Sequence, residues 1–271
     1  VPNTVTGECE MDPGGYFIIN GSEKTCLGQE RAAENLVQCF NVEKNNNKWA
    51  WCAEIKSVPD FKCISPKQIN MYITSKNNGF GHSMLLQIPR IKAPIPLFIV
   101  FRALGIISDK DICQHVVLNV EDRLEAKETI RMLEAMKASI VDASTYMTQE
   151  TAIQYITGHA MYTPLNMDKE TGAIKKRQFT VDVLNTDLFP HCKTMTQKIY
   201  FLGYMANQLL RASFGWQPPD DRDSYLNKRI DLAGTLLNNL FRNYFNKLVK
   251  DMQKAVAVSY THLRAHETVD Y

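Results

Sequence analysis

The chain has 271 residues, 45% hydrophobic and 22% charged, enough for one large or two modest domains with a sizeable core. A net charge of +2 gives no whole-molecule field that announces a nucleic-acid binder, so any such contact has to come from local basic groups. No run approaches the roughly 18 consecutive apolar residues of a membrane span, Val1-Pro2-Asn3-Thr4 lacks the pattern of a signal peptide, and no membrane partner is expected. The seven cysteines (Cys9, Cys26, Cys39, Cys52, Cys63, Cys113 and Cys192) include no C-x-x-C pair and read as buried or incidental thiols.

Asp12-Pro13-Gly14-Gly15 signals a turn. After it, Tyr16 to Ile19, Asn20-Gly21 and Lys24 to Leu27 predict a hairpin, because Asn-Gly tolerates the positive φ angles of a two-residue turn. Between Gln29 and Phe40 the apolar residues fit a short helix or a strand edge, and periodicity does not decide between them. The Asn-rich run Lys44 to Lys48 marks a first boundary, followed by strand-like runs at Trp49 to Ile55, Gln68 to Thr74 and Ser83 to Ile88.

Pro96 and Gly105 bracket a helix over Leu97 to Leu104, and Ser108 with Asp111 resembles a capping box for another that reaches His115. Leu124 to Val141 predicts an amphipathic helix with Ile130, Leu133, Met136, Ile140 and Val141 inward. Thr148 caps Gln149 to Ile156, with Ala152, Ile153 and Ile156 inward. Met167 to Arg177 reads as a polar excursion around Gly172. Helical patterns follow at Val181 to Leu188 and Thr196 to Phe214, the second ended by Gly215. Pro218-Pro219-Asp220-Asp221 marks a second boundary, and Leu232 to Met252 predicts a long helix with Leu236, Leu240, Phe241, Tyr244, Phe245 and Leu248 on a broad apolar face. This order makes the fold class α+β.

Asp220, Asp221 and Asp223 form the only dense carboxylate cluster. They read as a turn whose carboxylates bond backbone N–H groups or pair with Arg222, in preference to a metal site. Cys113 with His115, and His191 with Cys192, lack a second pair at zinc-ligand spacing, and His262 with His266 lacks the adjoining Glu of a zinc helix. No phosphate-cradling glycine loop is present. Arg102, inside an apolar helix, needs carboxylate or carbonyl partners and reads as structural. Lys175-Lys176-Arg177 reads as a solvated loop.

Three stretches together resemble the second-largest subunit of multisubunit DNA-directed RNA polymerases: Gly14 to Lys24, Ile95 to Gly105, and Asp220-Asp221-Arg222-Asp223 through Asn227-Lys228-Arg229. Phe201 to Met205 and Leu232-Ala233-Gly234 extend the likeness, which runs from about Glu10 to Lys254 and is closest to the eukaryotic, archaeal and large-DNA-virus form. The resemblance implies an internal fragment in which residues 1–44 and 220–254 are strand-rich pieces of the protrusion, flanking an inserted mixed helix and strand lobe at 45–219. Residues 255–271 depart from the family, resemble translated sequencing-adapter sequence, and are expected to be non-native.

The same resemblance implies one wall of a DNA cleft, with template DNA and the RNA–DNA hybrid as ligands and the largest subunit and other polymerase subunits as partners. No cofactor is expected on this fragment, magnesium being bound elsewhere in the full polymerase, and the fragment alone should not polymerise. The location implied is intracellular: the nucleus for a cellular eukaryote, the host cytoplasm, virus factory or virion for a virus. Lys228, Arg229, Lys24 and Arg222 are the residues expected to meet nucleic acid, through phosphate contacts that carry no sequence information. For Lys228 and Arg229 a solvated pair or a bridge to Asp221 or Asp223 is the other reading. The alternative for the whole chain is a scaffold whose apolar helix face packs only against protein.

Overall fold

The computed structural model describes residues 3–42, 48–59, 64–118, 127–163 and 168–267, with side chains described to 260. A short helix, α1 (Asn3–Thr6), leads to strands β1 (Tyr16–Ile19), β2 (Ser22–Thr25) and β3 (Gln29–Ala32). Strands β4 (Gln38–Asn41), β5 (Trp49–Ser57), β6 (Lys67–Thr74), β7 (Met84–Gln87) and β8 (Ile95–Pro96) follow. Then come α2 (Leu97–Ala103), α3 (Asp109–Val117), α4 (Lys127–Ala143), α5 (Gln149–Gly158), α6 (Lys169–Thr186) and α7 (Met195–Ser213). The chain closes on β9 (Lys228–Asp231) and α8 (Ala233–Glu267). The class is α+β, with every sheet antiparallel. Two compact units form, one from Val1–Ala32 with Tyr225–Tyr271 and one from Ala33–Ser224. All but Lys48 of the Asn-rich run falls outside the described residues.

In the unit that joins the two ends, β1 and β2 make the expected hairpin, with Asn20 at φ 52° and Gly21 at φ 75°. Its second strand begins at Ser22 and not at Lys24, because a two-residue turn sets the register Ile19 opposite Ser22. β3 pairs with β9, which resolves the first half of the ambiguous Gln29–Phe40 stretch as strand; β4 accounts for its end. Gly15 is required where it stands: at φ 91°, a Cβ there would lie 2.6 Å from that of Ala233. Ala233 is the one buried apolar residue of this unit among the described residues, and Tyr16 and Phe17 of β1 and Leu240, Phe241, Tyr244 and Phe245 of α8 are exposed.

The Ala33–Ser224 unit holds the core. Its sheet runs β4-β5-β6-β7-β8, and alternation is clean in β6, where Ile69, Met71 and Ile73 are buried while their neighbours are not. α2 is buried on every side, opened by Pro96 and followed by Gly105 at φ 108°. Thr148 caps α5 through a reciprocal box with Thr151, and Thr194 does the same for α7 with Gln197. Ser108 accepts from the Asp111 N–H, one half of the box expected there.

Three buried donors close helix C-termini inside this core, where free carbonyls are otherwise costly. Arg102 donates to the carbonyls of Ala143 (2.6 Å), the last residue of α4, and of Tyr146 (2.8 Å) in the turn after it, and pairs with Asp109 at 2.6 Å. Lys198 donates to Leu184 and Asn185 at the end of α6, at 2.9 and 2.6 Å, and burial lowers its pKa. Asn207 donates to Val116 near the end of α3 at 2.9 Å. α3 and α7 approach so closely at Gly203 that a Cβ there would lie 2.2 Å from the His115 carbonyl oxygen.

Two helices differ from expectation. The polar excursion around Gly172 is part of α6: Gly172 donates its N–H to the Asp168 carbonyl, and Lys175-Lys176-Arg177 lies on helix, not loop. Its buried positions, Gly172, Thr180, Val183 and Leu184, are too few and too small for an apolar period. In α4, whose expected residues 124–126 lie outside those described, Thr129, Met132, Met136, Ala138, Ser139 and Ala143 are buried; Met136, Leu133 and Ile140 do face the core as expected, whereas Ile130 and Val141 are exposed. Ser139 earns its inward place by accepting the Met84 N–H at 2.9 Å. The α8 helix runs through 255 without a break, and its residues Leu240, Phe241, Tyr244, Phe245 and Leu248 are exposed.

Candidate nucleic-acid interface

The acidic turn is built by backbone bonding. The Asp220 carboxylate accepts the Cys39 N–H at 2.7 Å while the Asp220 N–H donates to the Cys39 carbonyl at 2.8 Å, so one residue extends the β4 edge. Asp221 accepts the Asp223 N–H at 2.9 Å. Arg222 lies over the Phe40 ring at 4.2 Å and reaches Glu54 at 3.8 Å, so its carboxylate partner comes from β5 and not from the turn. Two of the three carboxylates, Asp220 and Asp221, thus accept backbone amides. Among the described residues no group of three or more His, Cys, Asp or Glu is placed to hold a metal ion. The side chains of His262 and His266 lie outside those described.

Lys228 and Arg229 open β9, where Arg229 stands opposite Arg31 and Lys228 opposite Ala32. Side chains alternate across this two-stranded ribbon, which separates the two cations. On one face Lys228 pairs with Glu30 at 3.2 Å; on the other Arg31 donates Nε–H to the Asp231 carboxylate at 3.0 Å. Lys228 therefore has an internal bridge, but to Glu30 and not to Asp221 or Asp223. Arg229 differs: it is exposed, and its Nη1 donates to the carbonyls of Leu226 (3.1 Å) and Lys228 (2.8 Å), so the charge is anchored and not neutralised by a carboxylate bond. Just before it, Tyr225–Asn227 forms a single 3-10 turn on which Tyr225 and Leu226 are exposed. Lys24 is exposed on β2, opposite Phe17.

Arg177 of the basic run is bound by Glu150 through two hydrogen bonds of 3.1 and 2.7 Å, which lower the Glu150 pKa. His191 shares a 2.6 Å hydrogen bond with the buried Ser57 and packs edge-on to Phe201. Burial favours the protonated thiol at three cysteines: with the nearby Asp220 carboxylate it pushes Cys39 up to about 12, and it likewise pushes Cys52 to about 12 and Cys113 to about 11. Glu30, Asp231 and Tyr225 were not singled out by sequence reasoning. The first two become visible only through strand pairing across nearly the whole chain. Tyr225 did carry a signal, an aromatic residue three positions before a Lys-Arg pair.

Residues 33–231 match the family model described as RNA polymerase Rpb2, domain 2. DNA-directed RNA polymerase II subunit RPB2 of Schizosaccharomyces pombe is 38% identical over 253 residues, which cover 91% of this chain and 20% of that protein. The Rpo2 subunit of Saccharolobus solfataricus is 31% identical over 250 residues, covering 91% of this chain and 20% of its own. DNA-directed RNA polymerase subunit 2 of Acanthamoeba polyphaga mimivirus is 28% identical over 271 residues, covering 93% and 22%. The chain thus spans about a fifth of the length of these relatives.

Proposed function

Because the chain belongs to the RNA polymerase Rpb2 family, we propose that it serves DNA-templated transcription as part of the second-largest subunit of a DNA-directed RNA polymerase, forming one wall of the DNA cleft. In this reading residues 45–219 are the lobe, residues 1–44 and 220–254 are pieces of the protrusion, and residues 255–271 are non-native. Template DNA, the RNA–DNA hybrid and the other subunits are its partners. Its location follows that of the polymerase, the nucleus in a cellular eukaryote or the virus factory or virion for a virus. Magnesium-dependent nucleotidyl transfer belongs to segments outside this chain, and the chain alone is inactive.

The observation that carries the cleft-wall reading is Arg229, an exposed guanidinium held in place by two carbonyls, which leaves its charge for a phosphate. Lys24 is a further exposed basic group of the same unit, while Arg222, in the other unit, pairs with Glu54. The Lys228–Glu30 pair favours the second reading, a scaffold without nucleic-acid contact. Alanine at both Lys228 and Arg229, in the assembled polymerase, separates the two. The cleft-wall reading expects weaker template binding and a salt slope lowered by about 1 to 2. Unchanged affinity and slope would leave the scaffold reading.

A further inference from the structure

Tyr225 and Leu226 are 75% and 86% exposed, on the turn that leads into β9. A single exposed apolar residue needs no explanation, but this turn is fixed. Arg229 reaches back to the Leu226 carbonyl at 3.1 Å, and residues 228–231 are held in the ladder with β3. The bond puts a permanently charged guanidinium within one residue of the tyrosine. Tyr225 has no ring, hydrogen-bond or ion partner among the described residues. Lys228 is engaged by Glu30 on the other face, so Arg229, bound to the Leu226 carbonyl, is the cation of this turn that has no carboxylate bond among the described residues.

An exposed aromatic residue and an anchored cation on one short turn suit one nucleotide of a single strand, the ring stacking on the base and the guanidinium taking a phosphate. A continuous duplex covers its base faces with its own stack, so it offers Arg229 a phosphate but offers Tyr225 nothing. We propose that Tyr225 is a base-stacking residue and that this turn takes an unpaired nucleotide of a single-stranded nucleic acid. The proposal rests on the reading of the turn as a nucleic-acid contact and adds to it the strandedness of the ligand.

The test uses the complete subunit in the assembled polymerase, with oligothymidylate and a blunt duplex of equal length as probes. Tyr225→Phe should bind both like the parent. Tyr225→Leu, apolar but not aromatic, should lose roughly fivefold to a hundredfold in oligothymidylate affinity, with its salt slope and duplex affinity unchanged. Arg229→Gln should lower the salt slope for both probes by about 1. Should Tyr225→Leu bind oligothymidylate like the parent while Arg229→Gln still lowers the slope, stacking is wrong and the phosphate contact stands. If neither substitution moves binding, the nucleic-acid reading of the turn fails and takes the proposal with it. A Tyr225→Leu enzyme that melts lower yet binds normally would place the ring against protein, which also overturns stacking.

Discussion

Replacing Arg102 by methionine keeps an unbranched side chain in a fully buried position but removes three hydrogen bonds, to Ala143, Tyr146 and Asp109. The Tyr146 carbonyl loses its side-chain donor, at about 1–3 kcal/mol, and the Ala143 carbonyl, which still accepts the Tyr146 N–H at 3.0 Å, loses a charge-assisted bond worth about 1.5–3 kcal/mol. The Asp109 carboxylate is 35% exposed and can take up water, so its loss adds little. Against this, methionine removes a buried charge and the Arg102 Nε–H, which has no acceptor, relieving about 1 kcal/mol or more. The net expectation is a destabilisation of about 3 kcal/mol, or a melting temperature lower by about 6–12 °C for a domain of this size. Circular dichroism melts give the shift, and amide exchange at the end of α4 locates it. Arg102→Lys, which keeps the charge but not the planar fork, should fall between. A methionine variant that melts within about 1 °C of the parent, with unchanged protection at the α4 terminus, would refute the capping role; the threshold is small beside the shift expected.

Gly203→Ala should cost at least about 2 kcal/mol, because its Cβ would lie 2.2 Å from the His115 carbonyl oxygen and α3 would have to move from α7; an unshifted melt would show that the contact gives freely. The Cys39 and Cys52 thiols, raised by burial from 9.0 to about 12, are protonated in the folded chain where an unfolded chain has lost the proton. Their contribution is full below pH 9 and is lost as pH rises through 9 to about 12, so stability measured by denaturant titration should fall across that window. At pH 8 a thiol reagent should modify the exposed Cys9 well before Cys39 or Cys52; simultaneous reaction would contradict their burial. Asp220→Ala should cost about 1–3 kcal/mol by leaving the Cys39 N–H without its acceptor, and Asp220→Asn, which keeps an oxygen there, should cost less; equal melts for both would argue against that bond.

What was legible in the sequence was whatever local chemistry dictates. Asn20-Gly21 gave the hairpin, Pro96 and Gly105 bounded α2, and Thr148 opened α5, because each acts on the backbone within a few residues. In α4 the pattern finds Met136, Leu133 and Ile140 but not Thr129 and Ser139, buried residues that no apolar period marks; Ser139 is buried with a partner, the Met84 N–H, reached only through the fold. α6 was hidden for a related reason, since its outward face is charged and its inward face small. At the candidate interface the residue types were readable and their partners were not. Arg31 meets Asp231 across 200 positions, and the cation that looked equivalent to its neighbour, Lys228, is paired with Glu30 while Arg229 is bound only to carbonyls. In the acidic turn Asp220 and Asp221 accept backbone N–H groups, one of the two arrangements that the run implied, whereas Arg222 pairs with Glu54 and not with the turn.

The most direct measurement places photoreactive p-benzoylphenylalanine at position 226, exposed on the same turn, in the complete subunit, leaving Arg229 in place, and irradiates the assembled polymerase on a labelled template with a paired RNA primer. A cleft wall that meets nucleic acid at this turn predicts label transferred to the subunit, mapping to 225–231. Adducts formed only with protein, with no label transferred, would contradict it.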